Sequence, residues 1–206
     1  SYKELMRDME KMVVSNNVAV LGSGVAAAKA TGLGPLIYTN ANHGAGGSTV
    51  AHTSGVASVA PTPGTPRAFS KTIYDAAVQA TYISAGKVPK AVYMSPAHKA
   101  LASTFTGIAS NRYEVKGTNQ GAIIGGADVY VSDFGAMTHV PHYMMAGSTL
   151  VYGLDLSEIK MAYLRPFFSQ KLGASGDSVK EQVIVDVTLR LEAEKACFKI
   201  ADLSGG

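Results

Sequence analysis

The chain has 206 residues, of which 47% are hydrophobic and 16% charged, well under the roughly 25% charged residues of an average soluble domain. That length supports one domain with a real core or two small ones, and the hydrophobic fraction excludes disorder as the default. A formal net charge of +3 is too mild to argue nucleic-acid binding by itself, and the single cysteine, Cys197, excludes an internal disulfide and any zinc pattern needing two thiolates.

The opening segment predicts an amphipathic helix. Leu5, Met6, Met9, Met12 and Val13 recur at spacings of three and four, with Lys3, Glu4, Arg7, Asp8, Glu10 and Lys11 opposite. The helix-favouring run Ala26–Ala30 suggests that it continues to about residue 31, with Gly22 and Gly24 as weak points. From Gly32 to Pro66 the composition turns to Gly, Ala, Ser, Thr, Asn and Pro. This predicts a long loop or an extended segment that relies on a partner for order. No acidic residue occurs between Glu10 and Asp75, whereas Lys11, Lys29, Arg67 and Lys71 are basic. Thr65-Pro66 predicts a second helix start, with Phe69, Ile73, Ala76, Ala80 and Ile83 as the buried stripe and Gly86 as the stop. Lys90–Met94 reads as a strand. Ser95-Pro96 caps a third helix, with Leu101, Phe105 and Ile108 facing inward and Gly107 near its end.

Beyond that point the period changes to two. Val129 and Val131 alternate with polar or aromatic neighbours, and Leu150–Tyr152 and Ile159, Met161 and Tyr163 continue the pattern. The clearest strand comes late: Val183, Val185, Val187, Leu189 and Leu191 line one face, which is expected to pack inward. Helices first and strands later predict an α+β fold.

Few motifs here could carry chemistry. Gly22-Ser23-Gly24-Val25-Ala26-Ala27 fits a dinucleotide fingerprint, which needs a helix after the turn and an acid about 20 residues on. No acid appears before Asp75, so the match is not taken as a cofactor site. His139 and His142 flank Pro141, which argues against a shared helix face, and both are expected as partly exposed imidazoles. Ser95 is a cap, His98 is expected at the surface, and Asp128 and Asp133 fall on opposite faces of a strand. Cys197 reads as a small buried hydrophobe. No catalytic, cofactor-binding or metal-ligating residues are assigned. No apolar run approaches a membrane span, and no signal peptide is visible. The first residue is Ser1, which suggests a processed chain or part of a longer product.

Residues 127–135 (ADVYVSDFG), 154–167 (LDLSEIKMAYLRPF) and 172–196 (LGASGDSVKEQVIVDVTLRLEAEKA) resemble the C-terminal part of tailed-bacteriophage major capsid proteins. The opening run Glu4–Glu10 is similar to that family's long helix. The resemblance implies a Hong Kong 97-like fold. Its peripheral domain would take residues 1–65 and 154–206, with a spine helix over about 1–31 and a long strand over about 181–192. Its axial domain would take residues 66–153. It further implies a structural, non-enzymatic major head protein that self-assembles into homo-hexamers and homo-pentamers around double-stranded DNA. Portal or decoration proteins would be further partners, and contact with DNA would be weak and nonspecific. Lys11 and Lys29 are candidates for an inward-facing basic element. The location implied is the virion, after assembly in the bacterial host cytoplasm. In that fold an N-terminal arm and extended loop precede the spine helix, and neither is recognisable here. Two alternatives stand beside this one: a nanocompartment shell protein of the same fold, and a small dinucleotide-binding enzyme using the Gly22/Gly24 turn or the His139/His142 pair.

Overall fold

A computed structural model describes residues 2–52, 55–105, 128–173 and 180–206. In chain order the elements are α1 (Tyr2–Val13), α2 (Leu33–Leu36), β1 (Ala41–Asn42), α3 (Lys71–Ala85), β2 (Ala91–Met94), α4 (Pro96–Ala102), β3 (Val129–Ser132), β4 (Gly135–Pro141), β5 (Val151–Leu154), β6 (Ile159–Lys171), β7 (Glu181–Leu191) and β8 (Phe198–Ile200). The fold is α+β, as the change of period predicted. The chain divides into two units, one of residues 1–36, 52–60 and 159–192, the other of residues 37–51, 61–158 and 193–206.

In the first unit α1 is amphipathic but short. It stops at Val13 and does not run to residue 31. Val13 and Val14 are β-branched, and Ser15 then turns back, its hydroxyl donating to the Met12 carbonyl at 2.7 Å. Backbone bonds from Gly32 to Asn17 and from Gly34 to Ser15 tie the helix end to the start of α2. Between them residues 18–30 form an extended finger, in which Val20 and Lys29 exchange backbone hydrogen bonds of 3.0 Å. Two glycines in this stretch, each costing a helix about 1 kcal/mol, outweigh the alanines that follow.

β6 and β7 pair antiparallel along their length, with register shifts near Arg165 and Phe168. Cross-strand ion pairs join Lys160 to Glu192 and Arg165 to Asp186. The long strand exists as predicted, yet most of it is half-buried on both faces, and Leu189 is its one buried residue. Val187 is therefore not a core position. A two-stranded ribbon lacks a second layer to cover the face the alternation marks.

The second unit is a six-stranded mixed sheet in the order β1-β8-β5-β2-β4-β3. Ser70 caps α3, and Gly86 ends it in the left-handed conformation. The start predicted at Thr65-Pro66 is displaced because residue 67 bridges in parallel to Leu203, which keeps that stretch extended. The buried stripe of α3 is Tyr74, Ala77, Val78 and Thr81, whereas Ile83 is 76% exposed and Ala76 and Ala80 also face out. Phe69 is buried as expected, and Ile73 packs against the core. Tyr74 and Thr81 can take inward positions because each hydroxyl is bonded internally, to His139 and to the Ala77 carbonyl.

Ser95 caps α4 as predicted. Phe105 packs beside Phe69, but Leu101 is exposed; Gly107 and Ile108 lie outside the described residues. In β3 the alternation holds with Tyr130 inward and Val129 and Val131 outward. The core joins Tyr74 and Val78 to Val92, Met94, Met137, Val151, Phe198 and Ile200.

The described residues of 32–66 are largely loop, as the composition suggested, but the segment also carries two short elements. Leu33–Leu36 is a buried turn of helix, and Ala41–Asn42 pairs in parallel with β8. The buried Asn40 amide donates to the carbonyls of Lys195 and Cys197. Polar bonds anchor this segment, so no apolar period reveals it.

Candidate functional site

The densest polar arrangement among the described residues lies where 42–67 meets 199–202. Asp202 sits in the left-handed region, at φ 59°, directly after the buried tail of β8. Its carboxylate accepts from the Gly44 N–H at 3.0 Å and faces His43 Nδ1 at 3.1 Å. His43 Nε2 lies 2.7 Å from Thr49 Oγ1, and the buried Lys199 Nζ donates to that same oxygen at 2.7 Å. Beside them Arg67 donates to the side chain and carbonyl of Asn42. Gly44 and Gly64 approach so closely that a Cβ on Gly64 would stand 2.6 Å from the Gly44 oxygen and 2.8 Å from Asp202 Oδ2.

The electrostatics explain the direction of these bonds. Burial alone would push the Asp202 carboxyl up. The Gly64 and Gly44 N–H groups and the His43 ring outweigh it and hold the carboxyl below its usual range. Burial pushes His43 down, with help from the Lys199 and Arg67 charges and against Asp202, so the ring is neutral. Burial also lowers Lys199, to about 8, against the attraction of Asp202. The Lys199 ammonium has donors only, so Thr49 accepts from it and turns its own proton to His43 Nε2, while His43 Nδ1–H donates to Asp202.

A hydroxyl, an imidazole and a carboxylate in series have the composition of a nucleophilic triad. Here the Thr49 hydroxyl also accepts from the buried Lys199 ammonium, which ties the series to β8. The arrangement is a clasp that closes two segments 150 residues apart. The residues of the clasp carry no sequence motif.

A second network runs from α3 to β3 and β4. Lys71 and Asp75 pair, Tyr130 donates to Asp75, and Tyr74 and His139 meet at 2.9 Å. Lys71, Asp75, Gln79, Tyr130, Ser132 and Phe134 line a cleft of about 420 Å³. Burial and the Asp75 carboxylate push the Tyr130 hydroxyl up to about 12, and the same carboxylate raises Lys71. Both hold their protons, the opposite of what a base or nucleophile requires.

The residues singled out in the sequence do not converge. His139 is buried and turned to Tyr74, contrary to expectation, and burial with the Lys99 charge lowers it to about 4. The His142 ring lies by Tyr93. His98 is also fully buried. Its Nδ1 meets Ser95 Oγ at 3.0 Å, and its Nε2 faces the Ser204 carbonyl at 3.3 Å. Both histidines pack inward with a hydroxyl or carbonyl on a ring nitrogen, although His139 Nδ1 is buried without a hydrogen-bond partner. Asp128 pairs with Lys99, and Asp133 lines the cleft. Burial raises the Cys197 thiol to about 11, in keeping with a small hydrophobe. Gly22 and Gly24 lie in the finger, where Ser23 accepts the Ala26 N–H through its side chain. No helix follows to receive a pyrophosphate, so the fingerprint has lost its anion site.

In comparison with known families, the model described as SU10 major capsid protein matches residues 1–204. No curated protein matches the chain. A family of shell subunits is a structural family and not an enzyme family. The match spans nearly the whole chain, and this protein therefore belongs to the SU10 major capsid protein family, a structural component of the virion.

Proposed function

We propose that this subunit self-assembles into hexamers and pentamers that close an icosahedral phage head around double-stranded DNA, on a backbone of the Hong Kong 97 type. The observation that carries the reading is the family match along residues 1–204. In this reading residues 1–65 and 154–206 form the peripheral domain and residues 66–153 the axial domain. The peripheral unit supports it energetically: α1 buries none of its residues, and β6–β7 is a ribbon half-covered on its own. Such surfaces gain by packing on neighbours. Contact with DNA is weak and made through phosphates, with Lys11 and Lys29 as candidates, so salt weakens it. Portal and decoration proteins complete the particle, which is built in the bacterial host cytoplasm.

Electron microscopy of the concentrated protein tests this. Shells, tubes or capsomers are expected, with DNA in heads made during infection. A strictly monomeric protein would overturn the reading, and particles filled with protein cargo in place of DNA would make it a nanocompartment shell.

A further inference from the structure

The finger of residues 18–30 ends in a tip with no charged residue from Leu21 to Ala28. Leu21 is 90% exposed and Val25 fully so. Isolated exposed apolar residues are ordinary; two at one glycine-flanked tip form a projecting knob. In the same unit a groove of about 840 Å³ runs between the base of the finger, at Ala28 and Ala30, and the ribbon, at Tyr163, Leu164, Val185 and Val187. Leu164 is 85% exposed and Tyr163 49%. Arg165 and Asp186, which also line the groove, neutralise each other in an ion pair, leaving Lys29 as the other charge. The groove asks for an uncharged, apolar guest.

The chain carries such a guest and cannot use it on itself. The Val20–Lys29 pair fixes the stalk, the groove begins at the base of that stalk, and the exposure of Leu21 and Val25 shows that the tip does not fold back. We infer that the Leu21/Val25 tip of one subunit inserts into the Ala28–Ala30/Tyr163–Leu164/Val185–Val187 groove of a second copy of this chain. The inference rests on the capsid reading, which supplies the second copy. Knob and groove are different surfaces, so the contact is heterologous. It propagates from subunit to subunit and either closes into a ring or continues as an open array.

Single-cysteine pairs test it, because Cys197 is buried and leaves a silent background. Val25→Cys and Leu164→Cys proteins are mixed, assembled and mildly oxidised. A disulfide-linked dimer is expected in the mixture and from neither variant alone, and the chain carrying both cysteines is expected to give a ladder of oligomers. Particles that form normally with no inter-chain band overturn the inference and leave the capsid reading standing. So does an equal yield from Val25→Cys alone, which would set tip against tip. Protein that never associates under any condition removes both. As a second measurement, Leu21→Asp with Val25→Asp is expected to raise the concentration needed for assembly by about tenfold or more, because a carboxylate then enters an apolar contact. Its circular dichroism and melting should match the parent, since both side chains are exposed. Unchanged assembly would again overturn the inference.

Discussion

Asp202 joins two demands that seldom meet in one residue, a left-handed backbone and a partly buried carboxylate that accepts several hydrogen bonds. Asparagine tolerates that backbone nearly as well, so Asp202→Asn removes the charge and spares the conformation. It is expected to cost about 1.5–3 kcal/mol, the range for hydrogen bonds to a charged group, measured by chemical denaturation. Asp202→Ala should cost more, because alanine adds strain in the left-handed region. Gly153 tests packing in the same unit. A Cβ there would stand 2.1 Å from the ring of Phe198, which is fully buried and has nowhere to move. Gly153→Ala should destabilise by about 1–3 kcal/mol, the usual cost of overpacking. Gln79→Ala, at an exposed position of α3, is the comparison that should change little.

Among the elements, what could be read in advance follows from how each one is held. α4 was legible because Ser95 and Pro96 are local signals that act on the backbone next to them. The stop of α3 at Gly86 was legible for the same reason. Its buried face was not, because Tyr74 and Thr81 are polar by type and become core residues only through bonds to His139 and Ala77. The clasp left no trace in the sequence, since Thr49 and Lys199 are 150 positions apart. β7 was legible as a strand, but periodicity marks a face and does not say what covers it. That distinction makes a prediction. Leu189→Asp buries an unpaired carboxylate, costs several kcal/mol and should unfold the dissociated subunit. Val187→Asp falls on a half-buried position of the groove. It should leave the melting of the dissociated subunit within a few degrees of the parent while impairing particle formation.

For the molecule as a whole, acid should act in two stages. His43, His98 and His139 are all lowered, in each case mainly by burial. Their preference for the neutral ring favours the folded state fully above the ordinary value of 6.5, and it is lost as pH falls from there through the folded values, down to about 4 for His139. Lys99 opposes and Asp128 favours the charge on that ring, which also faces Tyr74 and Tyr130. The His139 shift corresponds to about 3 kcal/mol. The second stage belongs to the lowered carboxylates Asp202 and Asp155, the latter held at about 2 by the Lys87 ammonium and the Ser157 hydroxyl. Their contribution is complete above the ordinary 3.8 and disappears as pH falls from there, towards about 2 for Asp155. Denaturation midpoints from neutral pH downward should show both declines. His139→Gln should flatten the first and leave the second; an unchanged first decline would count against His139 as its main source.

The place of β8 in the second sheet has a consequence for biosynthesis. This strand is an interior one, flanked by β1 and β5, and Phe198, Ile200 and Leu203 beside it complete the core around Tyr74. A growing chain that has emitted β1 to β5 therefore still lacks the strand that joins β1 to the others. Closure waits until the ribosome has supplied residues 198–203, and pairings of such long sequence separation form slowly. A fragment cut short before residue 198 lacks that interior strand and the Lys199–Asp202 half of the clasp, and is expected to leave the second sheet unclosed.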